Sequence, residues 1–463
     1  MSYDPREFKQ LTFHDVIPKF EDGLDTPRAY LERCLENIAK SEPVVQAFAA
    51  LNVEGARDAA DASTARWKTG KALSKIDGLP IGIKDLLETK DMPTQMGCEA
   101  YAGNFPKRDN AAVWALRDAG AIALGKTVTA ELGGNHPGPT TNPFNPACTP
   151  GGSSSGSAAA IAAHMVPAAI GSQVGGSIIR PAAYCGNVAL KPTQGGINRG
   201  ERQATSMSTH GVHAGCVEDM WQVAIEISLR AGGDPGKAGL IGSLSPPAAQ
   251  KPERLIVIET EGWAKLDEAS KSGFEMLLEN LQREGVLVLR RKQHPAIEAL
   301  ENVIVTATAI CAAITRWENR WGHRNLFEQN PGGMSERVKS TLALAEAMNP
   351  DDYRAALLAR ETAQLFHCKL ASLADAVITF GCPGPAPLWP GDKPGQPLAA
   401  RPTGDAVFNY PSSMLFAPVV TVPLMSVGGM PVGIQVMGQQ HQDERMTAIA
   451  RWMLETLDRV VVE

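Results

Sequence analysis

The first residue that could do chemistry is Ser177, which follows two glycines in the segment GSQVGGSIIRP, residues 171–181. Glycines leave the backbone bare, so such a segment can present a nucleophile or wrap an anion. A serine hydroxyl is a weak nucleophile at its own pKa and needs a base, which is most often histidine. The nearest histidines, His164 and His210, are far along the chain and stand in no recognisable setting. The sequence therefore raises the question of which group removes the proton of Ser177.

Glycine and serine are concentrated in two segments, TPGGSSSGS (149–157) and SQVGGS (172–177). Both adjoin short apolar runs, and consecutive bare N–H groups can form a nest for an anion. That anion is either a phosphate or the oxyanion of an acyl transfer reaction. Taken one at a time, each segment is equally well an ordinary turn or loop.

A rival phosphate site is the segment GAIALGKT, from Gly120 to Thr127, which fits the phosphate-loop pattern letter for letter. In a phosphate loop a strand precedes the first glycine and the next four residues form the loop. Here a helical segment, AAVWALRDA, precedes Gly120, and Ala-Ile-Ala-Leu is typical of a buried strand. We therefore expect a strand at this position and keep a phosphate-loop nucleotide hydrolase only as an alternative, which ATP binding through Lys126 would reveal.

A lysine completes the pattern, because Lys84 ends the strand-like segment GLPIGIKD ahead of both serine segments. With TPGGSSSGSAAAIAA and GGSIIRPAAYCGNVALKPT, this order resembles the amidase signature family of serine hydrolases. NPFNP (142–146) and the closing MPVGIQVMG (430–438) extend the resemblance over nearly the whole chain, most weakly over 240–370. The variant pattern is similar to a bacterial amidase branch that includes aryl acylamidases and urethanases.

The resemblance implies an answer to the question of the base. Ser177 would be the nucleophile, Ser153 a bridging serine held by a cis peptide bond, and Lys84 the ultimate base. A lysine is protonated at neutral pH unless burial disfavours its charge, and the apolar neighbours of Lys84 suit such burial. The resemblance also implies an oxyanion hole formed by the backbone N–H groups of Val174, Gly175, Gly176 and Ser177.

Each assignment has a plainer alternative. Lys84 by itself could be a surface lysine paired with Asp85. Ser154 either hydrogen-bonds within the site or caps the following helix. Gly152 and Gln173 are expected beside the site, and His136 either lines the substrate entrance or has a structural role. His210 and His213 have no metal-ligand spacing, so we expect no metal and no cofactor.

Departures from the family pattern bear on the substrate. Ser172 and Gln173 replace a common Thr-Asp pair, so a negative charge near the loop is absent. Ile179 stands where the family often has an arginine, and Arg180 follows it, which puts a grip on a substrate carboxylate in doubt. We expect hydrolysis of a small, neutral, fairly apolar amide, anilide or carbamate. The alternative is the A-type subunit of a tRNA-dependent amidotransferase, which the same departures weaken.

The elements that must position these residues alternate between strand and helix, which favours an α/β fold. The resemblance implies the amidase signature fold, a mixed, mostly parallel sheet covered by helices on both faces. We expect one domain over 1–463: a helical segment (1–70), the signature core (71–240), an excursion of helices and loops lining the substrate pocket (260–410), and a closing hairpin and helix (411–463). Within the excursion, the helices of 300–345 and the loop of 382–411 would wall the pocket.

Composition limits the partners. A net charge of −6 argues against a large nucleic-acid surface. The eight cysteines contain no C-x-x-C pair and indicate thiols in a reducing compartment. The N-terminal residues show no signal peptide, and no apolar run is long enough to span a bilayer. We therefore expect a cytoplasmic monomer or homodimer that acts on a small molecule without nucleic acid or membrane.

Overall fold

The structure is a computed structural model that describes residues 2–201, 205–393 and 395–463. Its strands are β1 Phe48–Leu51, β2 Pro80–Lys84, β3 Ile122–Thr127, β4 Ala168–Gln173, β5 Val188–Lys191, β6 Thr209–Ala214, β7 Arg254–Val257, β8 Leu287–Leu289, β9 Ala376–Phe380, β10 Val419–Val427, β11 Met430–Met437 and β12 Val460–Val462.

The α-helices surround these strands. They are α1 Ile17–Glu21, α2 Pro27–Val45, α3 Val53–Lys68, α4 Ala111–Asp118, α5 Ser155–Ala162, α6 Ile179–Tyr184, α7 Val217–Ala231, α8 Glu268–Arg283, α9 Pro295–Ile304, α10 Ala307–Gln329, α11 Glu336–Glu346, α12 Pro350–Cys368, α13 Tyr410–Met414 and α14 Asp443–Thr456. Short 3₁₀ turns lie at His14–Val16, Glu99–Tyr101, Glu131–Gly133, Trp263–Lys265, Arg291–Gln293 and Pro331–Gly333.

All described strands belong to one sheet, in the order β1-β3-β2-β4-β6-β5-β10-β11-β9-β7-β8, with β12 paired to β10. The mixed α/β architecture is confirmed, but parallel pairs are not in the majority. Six of the described strand pairs are antiparallel and five are parallel. The difference arises in the centre, where a tight Gly-Gly hairpin joins β10 to β11 and β6 runs antiparallel to both β4 and β5.

Helices cover both faces of the sheet. Successive residues of a strand point to opposite faces, and the residues of β7 pack against different helices on each side. Leu255 and Val257 of β7 pack in one apolar cluster with residues of α7, α8 and α14. Ile256, between them, packs in a second cluster with residues of α9, α10 and α12. The sheet is therefore the middle layer between helices, and a polar residue at a strand end is enclosed on both sides.

Local signals match the elements near the site. The run PIGIK forms β2, with all five residues buried. The segment of the rival phosphate loop forms β3 after α4, as its apolar residues predict, and β3 is also buried throughout. Helix α10 falls within the predicted helical range 300–345, and α11 ends one residue beyond it. The proposed division of the single domain into four segments stays a prediction.

Among the described residues, no single helix is both long and apolar enough to cross a membrane. Helices α9 and α10 satisfy that length and composition only when taken together, and they are bent by 44° relative to each other.

Candidate active site

Lys84 is the last residue of β2, which lies between β3 and β4 and runs parallel to both. Its side chain is completely buried. The Nζ atom lies 2.8 Å from Ser153 Oγ, 3.0 Å from Ser172 Oγ and 3.2 Å from the carbonyl oxygen of Ser172. All three partners are neutral oxygen atoms. The strand end therefore delivers an amine into a buried, polar but uncharged setting.

Burial holds the pKa of Lys84 well below its usual value, and the positive charge of Arg180 lowers that pKa further. Burial disfavours the charged form of an amine. Neither cause is offset by a carboxylate at hydrogen-bond distance, since the three bonded oxygens come from serines. The arrangement favours a neutral amine, which can accept a proton.

Asp85, the next residue, is engaged elsewhere. Its carboxylate accepts from Lys126 at 3.0 Å, and both side chains are buried. Lys126 Nζ also donates to Thr94 Oγ1 at 2.6 Å. Lys84 is therefore not the surface partner of Asp85, and Lys126 forms a buried structural ion pair in a strand instead of a phosphate cradle.

Ser153 follows a cis peptide bond between Gly152 and Ser153, as the family resemblance implied. The carbonyl oxygen of Gly152 accepts from Arg180 Nη2 at 2.6 Å, and that of Ser153 accepts from the N–H of Ala130 at 3.0 Å. A methyl group built on Gly152 would stand 2.9 Å from Thr403 Cγ2. Packing and hydrogen bonds on both sides of this peptide thus hold Ser153 Oγ beside Lys84.

Ser154 belongs to the same network. Its Oγ donates to the carbonyl oxygen of Ser172 at 3.2 Å and accepts from the N–H of Ser172 at 3.3 Å. Its own N–H donates to the carbonyl oxygen of Ser177 at 3.2 Å. Ser154 precedes α5, but its side chain makes no capping hydrogen bond. Of the two roles considered for it, hydrogen bonding within the site is the one present.

Ser177 lies in the turn between β4 and α6 and is half-buried. Its Oγ forms no hydrogen bond with any residue that the structure describes, so Lys84 and Ser153 are brought together but the contact from Ser153 to Ser177 is not closed. The backbone N–H groups of residues 174–177 likewise donate to no acceptor in the described parts of the chain. Four adjacent unpaired N–H groups beside a half-buried hydroxyl form an arrangement that can receive an oxyanion.

The shape of this turn depends on its glycines. A methyl group on Gly175 would stand 2.7 Å from the ring of Tyr410, and one on Gly176 would stand 2.6 Å from Asn409 Oδ1. Ser413 Oγ also donates to the carbonyl oxygen of Gly175 at 2.8 Å. The segment 409–413 therefore packs directly on the turn, and only residues without a Cβ fit beneath it.

Gln173 holds the other side of the turn. Its Oε1 accepts from the N–H groups of Ile178 and Ile179 at 2.8 and 3.0 Å, and its Nε2 donates to Ser413 Oγ at 3.0 Å. The side chain is almost completely buried. Gln173 thus connects β4, the start of α6 and α13, and it does so without charge.

The histidines considered from the sequence do not supply a base for Ser177. No histidine side chain that the structure describes forms a hydrogen bond with Ser177 Oγ, and burial lowers the pKa of His210 and of His213 to about 3, so both are weak bases. His136 lies in the turn after Glu131, and its carbonyl oxygen accepts from the Glu131 N–H at 2.9 Å. A role for His136 at the substrate entrance stays a prediction. Among the described residues, no group of three or more His, Cys, Asp or Glu side chains could hold a metal ion.

Comparison with known proteins places these residues in a family. The family model described as Amidase matches residues 29–447. The chain belongs to the amidase family. The prediction of an amidase signature enzyme is thereby confirmed. The general reaction class of this family is hydrolysis of C–N bonds, and the protein belongs to that class.

Individual members of the amidase family differ in function. The chain is 29% identical to the A-type subunit of the glutamyl-tRNA(Gln) amidotransferase of Geobacter metallireducens, covering 96% of each protein. It is 31% identical to the corresponding protein of Chloroflexus aggregans, covering 90% of each. A solved structure described as "Crystal structure of amidase" has a TM-score of 0.83 at 28% identity, covering 96% of this chain and 100% of that one.

Ser172 is the residue of the site that sequence reasoning missed. In the sequence it stands out only as a replacement in a family pattern, yet it provides two of the three oxygens around Lys84 Nζ. Nothing in the chain order predicts this contact. The alternation of β4 offered a weak signal, because it places Ser172 two residues after Ile170 on the same side of the strand.

Proposed function

We propose that this amidase hydrolyses the C(O)–N bond of a small, neutral, fairly apolar amide, anilide or carbamate through an acyl-enzyme on Ser177. The observation that carries the proposal is the buried Lys84 amine 2.8 Å from Ser153 Oγ, next to a turn with four unpaired N–H groups. A serine nucleophile needs a base, and the Lys84 amine is the group in the site that can be that base.

The proton moves along the three residues in both half-reactions. Ser177 Oγ attacks the carbonyl carbon and gives its proton to Ser153, whose own proton passes to Lys84 Nζ. The tetrahedral intermediate collapses as the relay returns the proton to the departing nitrogen, and the amine leaves. Water then attacks the acyl-enzyme, gives a proton to the same relay, and releases the acid with Ser177 restored.

The oxyanion formed in each half-reaction would lie against the N–H groups of Val174, Gly175, Gly176 and Ser177. A single donor of this kind is worth ~3 kcal/mol of barrier in serine hydrolases. Because residues 409–413 pack on the turn, the donors are held in place before the substrate binds, and no reorganisation is needed during the reaction.

The charge of the surroundings supports a neutral substrate. Gln173 replaces an acid by an amide that is fully engaged with the turn. Arg180 is buried, and its Nε and Nη2 donate to backbone oxygens of Thr403 and Gly152. These bonds give Arg180 a structural role that needs no substrate carboxylate. Its Nη1 forms no hydrogen bond within the described residues, so amides with a carboxylate belong in the substrate test.

The second candidate is the A-type subunit of a tRNA-dependent amidotransferase. It is favoured by the curated relatives, which bear that name at 29–31% identity over 90–96% of this chain. Such a protein would supply ammonia from glutamine to a partner. Glutamine hydrolysis that rises on addition of the partner proteins would favour this candidate over an independent amidase.

The test is turnover by wild type and by Ser177→Ala of p-nitroanilides, p-nitrophenyl carbamates, glutamine and carboxylated amides. We expect release of product from a neutral substrate by wild type and none above background by Ser177→Ala. Cys185→Ala is the control, because Cys185 is the other nucleophile in the motif but is buried, and burial raises the pKa of its thiol. Equal rates for wild type and Ser177→Ala would contradict the proposal.

A further inference from the structure

Ser172, the fifth residue of β4, contributes two of the three oxygen atoms around the Lys84 amine, and Ser153 contributes one. Lys84 Nζ lies 3.0 Å from Ser172 Oγ and 3.2 Å from the carbonyl oxygen of the same residue, whereas Ser153 contributes one contact at 2.8 Å. A proton relay depends on the direction in which the amine presents its lone pair. The arrangement of these three oxygens determines that direction.

The two protonation states of a lysine use three partners differently. An ammonium ion has three N–H donors, and each of the three oxygens can accept one of them. A neutral amine has two N–H donors and one lone pair. The Ser172 carbonyl can only accept, so it takes one N–H. If the Ser172 hydroxyl accepts the second, the lone pair is left pointing at Ser153 Oγ, and Ser153 can give it a proton.

We infer that the Ser172 hydroxyl is a positioning group that directs the lone pair of Lys84 toward Ser153. The inference rests on the proposed function of Ser177. Without this hydroxyl, the second N–H of Lys84 has Ser153 Oγ as its remaining acceptor among the described residues. The amine would then donate to Ser153 when it should accept from it, and the relay would be blocked in the state that starts the reaction.

The other charged and titratable groups around Lys84 do not take this role. Asp85 is paired with Lys126. Arg180 acts on Lys84 only through its positive charge. Burial above all, with the positive charge of Lys84 as a smaller cause, lowers the pKa of His210 and of His213, so both are neutral at pH 7. None of these side chains lies at hydrogen-bond distance from Nζ.

The Ser172 backbone is held independently of its hydroxyl. Its N–H and carbonyl oxygen both bond to Ser154 Oγ, and Ser172 lies opposite His210 in the antiparallel pairing of β4 with β6. Removing the hydroxyl therefore leaves the strand and the carbonyl acceptor in place. A Ser172→Ala variant should fold, so its defect can be assigned to the amine.

The experiment compares wild type with Ser172→Ala, Ser172→Thr and Ser157→Ala. Threonine keeps the hydroxyl. Ser157 is a matched control, since it is also buried and donates to the Ile170 carbonyl of the same strand at 3.1 Å without a hydrogen bond to Lys84. Each protein is treated with a fluorophosphonate, in which Ser177 Oγ displaces fluoride from phosphorus. Mass spectrometry gives the rate of labelling at Ser177 across the pH range in which the protein stays folded.

We expect Ser172→Ala to lower the plateau of the labelling rate about 10- to 100-fold. The rising part of the rate–pH curve, its acid limb, should move to lower pH, because the ammonium ion of Lys84 loses a hydrogen-bond acceptor and its pKa falls. Ser172→Thr and Ser157→Ala should keep the wild-type plateau and acid limb. A wild-type rate and profile in Ser172→Ala would overturn the inference alone. A smaller labelled fraction of Ser172→Ala, with the acid limb of its rate–pH curve unchanged, would assign Ser172 a structural role and overturn the inference. Absence of labelling in wild type would overturn the proposed function itself.

Discussion

A lysine serves as a base near neutral pH only when its surroundings disfavour the ammonium ion. Lys84 meets this condition through complete burial, a nearby arginine and three uncharged oxygen partners. The same burial in another setting would produce an inert residue. Lys191 is also fully buried, and burial lowers its pKa to about 7, yet its Nζ donates to the backbone oxygen of Pro192. What distinguishes Lys84 is the hydroxyl beside it.

The dependence of activity on pH follows from this comparison. The lowered pKa of Lys84 means that the base is neutral above that pKa, so kcat/KM should rise with pH and reach a plateau below the usual lysine range. Lys84→Met should lower kcat on the order of 10²- to 10⁴-fold, measured by turnover of the best panel substrate. Lys191→Met is the control and should retain the wild-type acid limb. An acid limb that moves in Lys191→Met would contradict this assignment.

A second prediction at this scale concerns Gly176. A methyl group there would stand 2.6 Å from Asn409 Oδ1 and 2.8 Å from Arg180 Nη1, so Gly176→Ala must move either the turn that carries the N–H donors or the two side chains that pack on it. We expect kcat to fall by about 100-fold or more while circular dichroism stays unchanged. Gly322→Ala is the control, because Gly322 lies in α10 with open space around it. Unchanged turnover by Gly176→Ala would contradict an oxyanion role for this turn.

At the scale of elements, the site is assembled from the ends of β2 and β4, from the turn after β4, and from the segment before α5 that carries Ser153. The ion pair between Asp85 and Lys126 joins the end of β2 to the neighbouring β3 inside the protein. Gln173 performs the corresponding task on the other side, connecting β4 to α6 and α13. The strand ends are thus held by buried polar contacts that surround the reacting groups.

Breaking the buried ion pair should cost more than the pair itself contributes. Lys126→Met leaves a buried carboxylate without its partner, and we expect the free energy of unfolding to fall by about 3–5 kcal/mol, measured by urea denaturation. The double variant Asp85→Asn with Lys126→Met should recover part of this loss. If Lys126→Met unfolds at the same urea concentration as wild type, the ion pair with Asp85 does not stabilise the fold.

At the scale of the whole molecule, residues distant in the chain close the structure around the sheet. Asp219, in the first turn of α7, is buried and accepts from the backbone N–H groups of Phe13 and His14 at 2.7 and 2.8 Å. The N–H of Tyr3 donates to the carbonyl oxygen of Gly429, in the turn between β10 and β11. The N-terminal segment therefore joins α7 to the hairpin of β10 and β11.

This docking predicts a stability effect far from the site. Asp219→Ala leaves two backbone N–H groups without an acceptor, and each such loss costs about 1–3 kcal/mol. We expect a lower urea midpoint, with kcat unchanged in the folded protein. Asp58→Ala is the control, because Asp58 is exposed on α3. Equal midpoints for Asp219→Ala and wild type would show that the segment is held by its apolar contacts instead.

Much of the architecture and the site was predictable from local signals. Apolar runs in the sequence predicted β2 and β3. The helical residues before Gly120 indicated a strand instead of a phosphate loop, without any information on the partners of Lys126. The excess of antiparallel pairs was not predicted, because strand order depends on which strands meet after the chain has folded. The pairing of β5 with β10 joins residues from opposite halves of the chain.

The sequence by itself determined the family, the fold class and the three residues proposed for the relay, because those depend on residue types in a given order along the chain. Only the tertiary structure decided which groups touch. Ser172 reaches Lys84, Asp85 turns to Lys126, and Gln173 is bound by the turn and by Ser413. The physical reason is that hydrogen bonds and charge pairs act over a few ångströms, and those neighbours are brought together only by the packed sheet.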